Sequence, residues 1–141
     1  MVNVRGRLMD LSRPRVMGVI NITDNSFYSG SRFREGKEIV AVAGRMLDEG
    51  ADIIDIGGCS TRPGSVEVPE PVERERACRA TELIVRHFPE AVISVDTYRA
   101  SVVAAAIKGS GAAMINDISG GIMVEAMVPL VTKLNVPYIH M

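Results

Sequence analysis

Residues 52–65 read DIIDIGGCSTRPGS. Ile53, Ile54 and Ile56 form a short β-branched run of the kind that fills a buried strand. The run nonetheless carries Asp52 and Asp55, and it ends in Gly57 and Gly58, a Ser-Thr pair, Arg62 and Pro63. A carboxylate on a core strand is costly unless something pairs with it. The stretch therefore predicts a strand whose C-terminal end has a chemical task.

Four further runs share this character: 16–22 (VMGVINI), 91–96 (AVISVD), 112–117 (AAMIND) and 136–140 (VPYIH), each bounded by Gly, Pro or Asn/Asp. Between the five strands lie segments of helical spacing: Ile39, Ala43, Met46 and Leu47 before Gly50; Ala77, Ala80, Ile84 and Phe88 before Pro89; Val103 and Ile107 before Gly109; and Met123, Met127, Val131 and Leu134. Glu70, Glu73 and Glu75 open the second helix, while Arg86 and His87 close it, which suits the helix dipole and gives His87 a structural role. Pro129 fits the first turn of a helix that begins later than the apolar pattern. Alternating strands and helices give a parallel sheet, either open and doubly wound or closed as a (β/α)₈ barrel.

Side-chain parity separates the two. Ile20 and Ile22, Ile54 and Ile56, Ile93 and Val95, and Ala113 and Ile115 take one face of their strands. The other face carries Asn21, Asp55, Asp96 and Asn116 at matching depth near the strand ends. Doubly wound strands are apolar on both faces because helices cover both. A polar group recurring at the C-terminal end of one face suits a barrel mouth that meets a ligand. Each residue also has a purely structural reading: Asp96 as cap of a helix starting near Tyr98, Asn116 and Asp117 as turn formers, Asn21 bonded to its own loop.

The bulk numbers bound the rest. Sixteen basic and 17 acidic residues, net charge −1, imply no attraction to nucleic acid or an anionic membrane. Arg5, Arg7, Arg13, Arg15, Arg32 and Arg34 crowd the N-terminal quarter and read as a solvated basic segment. Two cysteines make no disulfide framework, the first fifteen residues lack a signal-like apolar stretch, and no apolar run reaches the roughly 18–20 residues of a membrane span. A cytoplasmic, membrane-independent protein is expected. The eight methionines read as core filler.

Four blocks, MGVINITDNSFYSGS (17–31), ADIIDIGGCSTRPGS (51–65), ISVDTYRA (93–100) and INDISGG (115–121), resemble in order and spacing the dihydropteroate synthases, the pterin-binding barrel enzymes of folate synthesis. The resemblance implies a TIM barrel that joins 7,8-dihydropterin-6-ylmethyl diphosphate to 4-aminobenzoate, with Mg²⁺ assisting. It implies that Asp55, Asp96, Asn116 and Ile118 hold the pterin, and that Asn21 reaches Mg²⁺ and the diphosphate. Thr61, Arg62 and Pro63, with Phe27, would cover the 4-aminobenzoate pocket, with Asn21, Thr61 and Arg62 serving catalysis. Sulfonamides would compete with 4-aminobenzoate, and the protein would be a homodimer. Asn25 and Ser29 stand where the family usually has aspartates, and Cys59 where it usually has glutamate.

A full barrel takes about 250 residues. The 141 residues are therefore expected to be the first four and a half βα units, with 1–15 an N-terminal extension and 16–141 the N-terminal half of the barrel. On that expectation the chain alone lacks synthase activity, is dimeric, partly molten or aggregation-prone, and leaves Val19, Ile53, Val92 and Met114 uncovered on its inner face. Two alternatives follow from the residues: a methyltetrahydrofolate-using methyltransferase barrel, and a non-enzymatic flavodoxin-like binding domain.

Overall fold

The computed structural model describes residues 1–22, 29–59 and 67–140. The chain opens with a hairpin that the sequence reading did not anticipate, β1 (Val2–Val4) antiparallel to β2 (Arg7–Met9). There follow β3 (Met17–Asn21), α1 (Ser29–Asp48), β4 (Ile53–Gly57), α2 (Glu70–His87) and β5 (Val92–Asp96). The chain then forms α3 (Ala100–Ala105), a π-helical turn at Ala106–Ser110, β6 (Met114–Asp117), α4 (Met127–Leu134) and β7 (Tyr138–His140). Pro129 lies in the first turn of α4, where its missing N–H leaves no helical bond unmade.

Strands β3 to β7 form one parallel sheet in the order β3-β4-β5-β6-β7. A doubly wound sheet reverses its order at a switch point. This sheet does not, so the flavodoxin-like alternative falls and the wall of a (β/α)₈ barrel remains.

The helices cover one face of the sheet. Ile54, Ile56, Ile93, Val95 and Ile115 are wholly buried there with Ala43, Ala77, Ala80, Ile84, Val102, Val103 and Met127. Each of the larger aliphatics contributes about 1.5–3 kcal/mol by leaving water. The alanines on α1 and α2 leave room for those isoleucines. The His87 ring bonds the Leu83 carbonyl through Nδ1 at 2.8 Å, the structural role expected of it.

At the N-terminal end of the other face a smaller apolar cluster joins Val4 of the hairpin to Ile53, Ala113 and Met114. The hairpin thus floors the barrel wall, and Ile53 and Met114 are buried rather than uncovered as expected, while Val19 near the rim is 50% exposed. Of the basic residues of this region Arg5, Arg7 and Arg13 are exposed, as a solvated segment requires, and three make bonds. Arg5 donates to the Gly111 carbonyl at 2.9 Å, and Arg7 pairs with Glu90. Arg15 donates to Asp52 at 2.7 Å. Three-residue strands with a single buried apolar position leave too weak a pattern to read from sequence.

Asp52 is thereby explained. Its second oxygen accepts the Val16 N–H at 2.9 Å, so it ties the entry of β4 to the entry of β3. That bond, then the one from Arg15, holds its carboxyl below its ordinary range. Asp55, on the opposite side of the question raised by the sequence, has no such structural pairing at the floor. Among the described residues no helix is long and apolar enough to cross a membrane.

Truncating Ile54 to Ala should lower stability by about 2–5 kcal/mol, measured as a fall in urea midpoint. The edge strands β3 and β7 expose ladder groups beside Val16 and Val19, 59% and 50% exposed. The 141-residue chain should therefore self-associate in sedimentation, and a monomer at every concentration would show that these edges are protected.

Candidate functional site

The face of the sheet away from the helices carries the predicted polar residues. Asp55 is 2% exposed and accepts a hydrogen bond from the Asn116 side-chain amide at 3.0 Å. Along the ladder, however, Asp55 pairs with Ser94, which pairs with Met114, so Asn116 lies two residues further along its strand. In a barrel whose shear equals its strand number the register steps about one residue per strand. Two steps separate β4 from β6, which brings Asp55 and Asn116 level. Asp96 and Asn21 stand nearer the C-terminal rim. The matching depth expected of all four thus holds for Asp55 and Asn116 and becomes a slope toward the rim for the others.

This pair leaves acceptors unused. Asp55 Oδ1 and Asn116 Oδ1 are buried without a hydrogen-bond partner, as is the hydroxyl of Ser94 beside them on β5. Buried polar atoms are nearly always paired, so each open acceptor points to a ligand donor. Asn21 lies across the end of β4: a Cβ at Gly57 would fall 2.6 Å from its Oδ1, which is why glycine stands there. Ile118 follows β6 and is 49% exposed at the rim.

Burial pushes the Asp96 carboxyl up from 3.8 to about 6, and the negative charges of Asp55, Glu73 and Asp117 add to the rise. Asp96 does not cap a helix, because α3 begins after Arg99. Asp117 does form the expected turn. It is fully buried and accepts the N–H groups of Ser119 at 2.8 Å and Gly121 at 3.0 Å, plus the Tyr138 hydroxyl at 2.6 Å. Burial raises its pKa, but the bonds from Tyr138, Ser119 and Gly121 outweigh that and hold it low.

Behind the rim lies a second network that the sequence reading missed. Glu73 of α2, 1% exposed, accepts the Thr97 hydroxyl at 2.6 Å and Arg99 Nη1 at 2.8 Å. Arg99 also donates to the Val68 carbonyl at 2.8 Å and to Glu67 at 2.9 Å. Glu73 had been assigned to the helix dipole alone. The signal was available: Glu73, Ala77, Ala80 and Ile84 share one stripe of α2, and a glutamate on a buried stripe demands a partner. Phe27, Thr61, Arg62 and Pro63 lie outside the described residues, as do Asp24 and Asn25. Cys59, two residues past the end of β4, is a buried thiol.

A barrel wall with buried acceptors open at its C-terminal rim has the layout of a (β/α)₈ enzyme, whose site lies at that face. Comparison with known proteins gives that class a family. The profile of the pterin binding enzymes matches residues 17–141. Dihydropteroate synthase of Mycobacterium leprae is 41% identical over 134 residues, covering 94% of this chain and 46% of the relative. A solved dihydropteroate synthase of Xanthomonas albilineans with 4-aminobenzoic acid superposes with a TM-score of 0.87 at 38% identity, covering 99% of this chain and 50% of that one. One from Yersinia pestis, in complex with a sulfonamide drug, gives 0.81 at 38% identity over 97% of this chain and 48% of that one. The chain belongs to the pterin-binding enzyme family. It spans about half the length of the dihydropteroate synthases it matches, and it carries the first four and a half βα units of their barrel.

The Asp96 carboxyl provides a test of the site's electrostatics. Its folded pKa of about 6 exceeds the ordinary 3.8, so the folded state binds the extra proton between those values. Its contribution should favour folding below about pH 4 and be lost as pH rises through 6. Asp96→Asn should therefore raise the thermal midpoint at pH 7 and flatten its pH dependence over that window. An unchanged profile would mean that Asp96 titrates normally.

Proposed function

We propose that this chain supplies the pterin side of a dihydropteroate synthase, which condenses 7,8-dihydropterin-6-ylmethyl diphosphate with 4-aminobenzoate to give dihydropteroate and diphosphate. The observation that carries the reading is the pair of buried, unpartnered acceptors Asp55 Oδ1 and Asn116 Oδ1, with Asp96 beside them at the mouth. A pterin presents ring N–H and amino donors next to a carbonyl. Asp55 and Asp96 would take the donors, and the Asn116 amide would turn its oxygen to the ring. Ile118 would pack on the ring face.

In the reaction the bond between the pterin methylene and the diphosphate oxygen breaks, the aniline nitrogen of 4-aminobenzoate forms the new bond, and that nitrogen loses a proton. The carboxyl groups of Asp55 and Asp96 would favour the developing positive charge on the ring system. Thr61, Arg62 and Pro63, with Phe27, would contribute to the second substrate's pocket, and Arg62 and Thr61 would act on the departing anion. Among the described residues no cluster of three His, Cys, Asp or Glu could hold a metal. Mg²⁺ needs only one or two protein oxygens beside phosphate oxygens and waters. The exposed Asn21 amide oxygen at the rim fits that demand, and Mg²⁺ bound there would offset diphosphate charge.

We extend the reading to its setting. Residues 16–141 would be the barrel portion, and 1–15 an extension that floors it, as the burial of Val4 supports. Sulfonamides would compete for the 4-aminobenzoate position, in line with the ligands of the solved relatives. The working protein would be a cytoplasmic homodimer, consistent with two unoxidised thiols and a near-neutral net charge.

Calorimetric titration with 6-hydroxymethylpterin tests the proposal. Asp96→Asn should weaken binding by about 1–3 kcal/mol by leaving ring donors unpaired. Unchanged affinity would remove Asp96 from the site. In the complete enzyme, Arg62→Ala should depress turnover far more than pterin affinity. Equal losses in both would make Arg62 a pterin-pocket or folding residue.

A further inference from the structure

The Glu73 network lies outside the set of groups assigned to the ligand, yet it bonds Thr97, the residue after Asp96, and abuts the end of β4. Thr97, the next residue, is 2% exposed, donates to Glu73 at 2.6 Å and accepts the Arg99 N–H at 3.1 Å. At the end of β4, a Cβ on Gly58 would lie 2.8 Å from the Glu73 carbonyl oxygen and 3.0 Å from its Cγ, so β4 abuts the same glutamate. Arg99, 9% exposed, then reaches the Val68 carbonyl and Glu67, where the chain descends into α2. Burial by itself would lower the Arg99 pKa, but the charge of Glu73 and the bonds Arg99 donates to Glu67 and Tyr98 carry it above its ordinary value.

A buried ion pair contributes little net stability and is costly when one partner is lost. It does impose a single geometry, because each terminal nitrogen of Arg99 is committed to two acceptors. We propose that Glu73, Arg99 and Thr97 are positioning residues for the pterin site, fixing the end of β5 that carries Asp96 against the end of β4 and against the Glu67–Val68 backbone. The proposal rests on the pterin reading given above. None of the three touches the ligand: Glu73 and Thr97 face the helix side of the sheet, and Arg99 acts through its acceptors.

The test uses the complete enzyme that contains these 141 residues, 6-hydroxymethylpterin and two substitutions at one position. Thr97→Val keeps the shape and removes the hydroxyl; Thr97→Ser keeps the hydroxyl. Thr97→Val should weaken pterin binding about tenfold, the scale of one lost hydrogen bond to a charged group. Thr97→Ser should stay within about twofold of wild type. Amide exchange in peptides spanning 67–73 and 97–103 should accelerate together in Thr97→Val and in neither stretch for Thr97→Ser. Glu67→Gln, at a side chain 77% exposed, gives a variant that does not threaten the core and should accelerate exchange at 67–73. Wild-type affinity in Thr97→Val would overturn the proposal. So would equal losses in both Thr97 variants that follow the thermal midpoint. A complete wild-type enzyme that takes up no 6-hydroxymethylpterin would overturn the functional reading instead, and the exchange data would still decide the positioning role: joint acceleration supports it and independent acceleration overturns it.

Discussion

The structure depends on one constraint, the two-residue alternation of parallel strands whose helices all lie on one side. Ile54, Ile56, Ile93, Val95 and Ile115 are buried beneath those helices, and this alone sends Asp55, Ser94, Asp96 and Asn116 to the opposite face. A register slip of one residue would place the carboxylates against Ile84 and Val103 and the isoleucines in the mouth. The apolar face therefore fixes the site before any ligand contributes.

That polar face is unstable on its own terms. Asp55 is buried with a single hydrogen bond, from Asn116, and Asp96 stands among the charges of Asp55, Glu73 and Asp117. The cost is visible in the raised Asp96 pKa and in acceptors left without donors. No basic side chain is seen bonded to Asp55 or Asp96 among the described residues, and Arg99 gives its donors to Glu73, Val68, Glu67 and Tyr98. A ligand with several N–H donors would relieve what the protein leaves unpaired.

The strands, their order and the polar face were legible in the sequence because each rests on periodicity, and a period of two is visible in five residues. The level match of Asp55 with Asn116 was legible only in part. Parity predicts the face, but the stagger that brings residues of β4 and β6 level belongs to the closed geometry of the barrel. The β1–β2 hairpin was not legible, since its strands are three residues long and bury only Val4 between them. The Glu73–Arg99 pair was hidden differently: Arg99 is 26 residues away along the chain, and only the placement of Glu73 on the Ala77–Ile84 stripe hinted at it.

Alternation has a further consequence at the rim. If a strand's last inward residue meets the ligand, the next residue must face the helices, and in two of these strands that next residue is an anchor. Thr97 follows Asp96, and Asp117 follows Asn116; they are 2% and 0% exposed. Thr97 binds Glu73 and the Arg99 N–H, while Asp117 binds two loop N–H groups and Tyr138. The strand end thus offers one side chain to the site and uses its neighbour to fasten the loop that follows. Neighbouring residues on opposite faces cannot compete for the same partner, so the inward side chain and its anchoring neighbour each keep their own. This explains why the polar dipeptides Asp96–Thr97 and Asn116–Asp117 fall where buried strands end, a position in which two consecutive polar residues would otherwise be hard to satisfy.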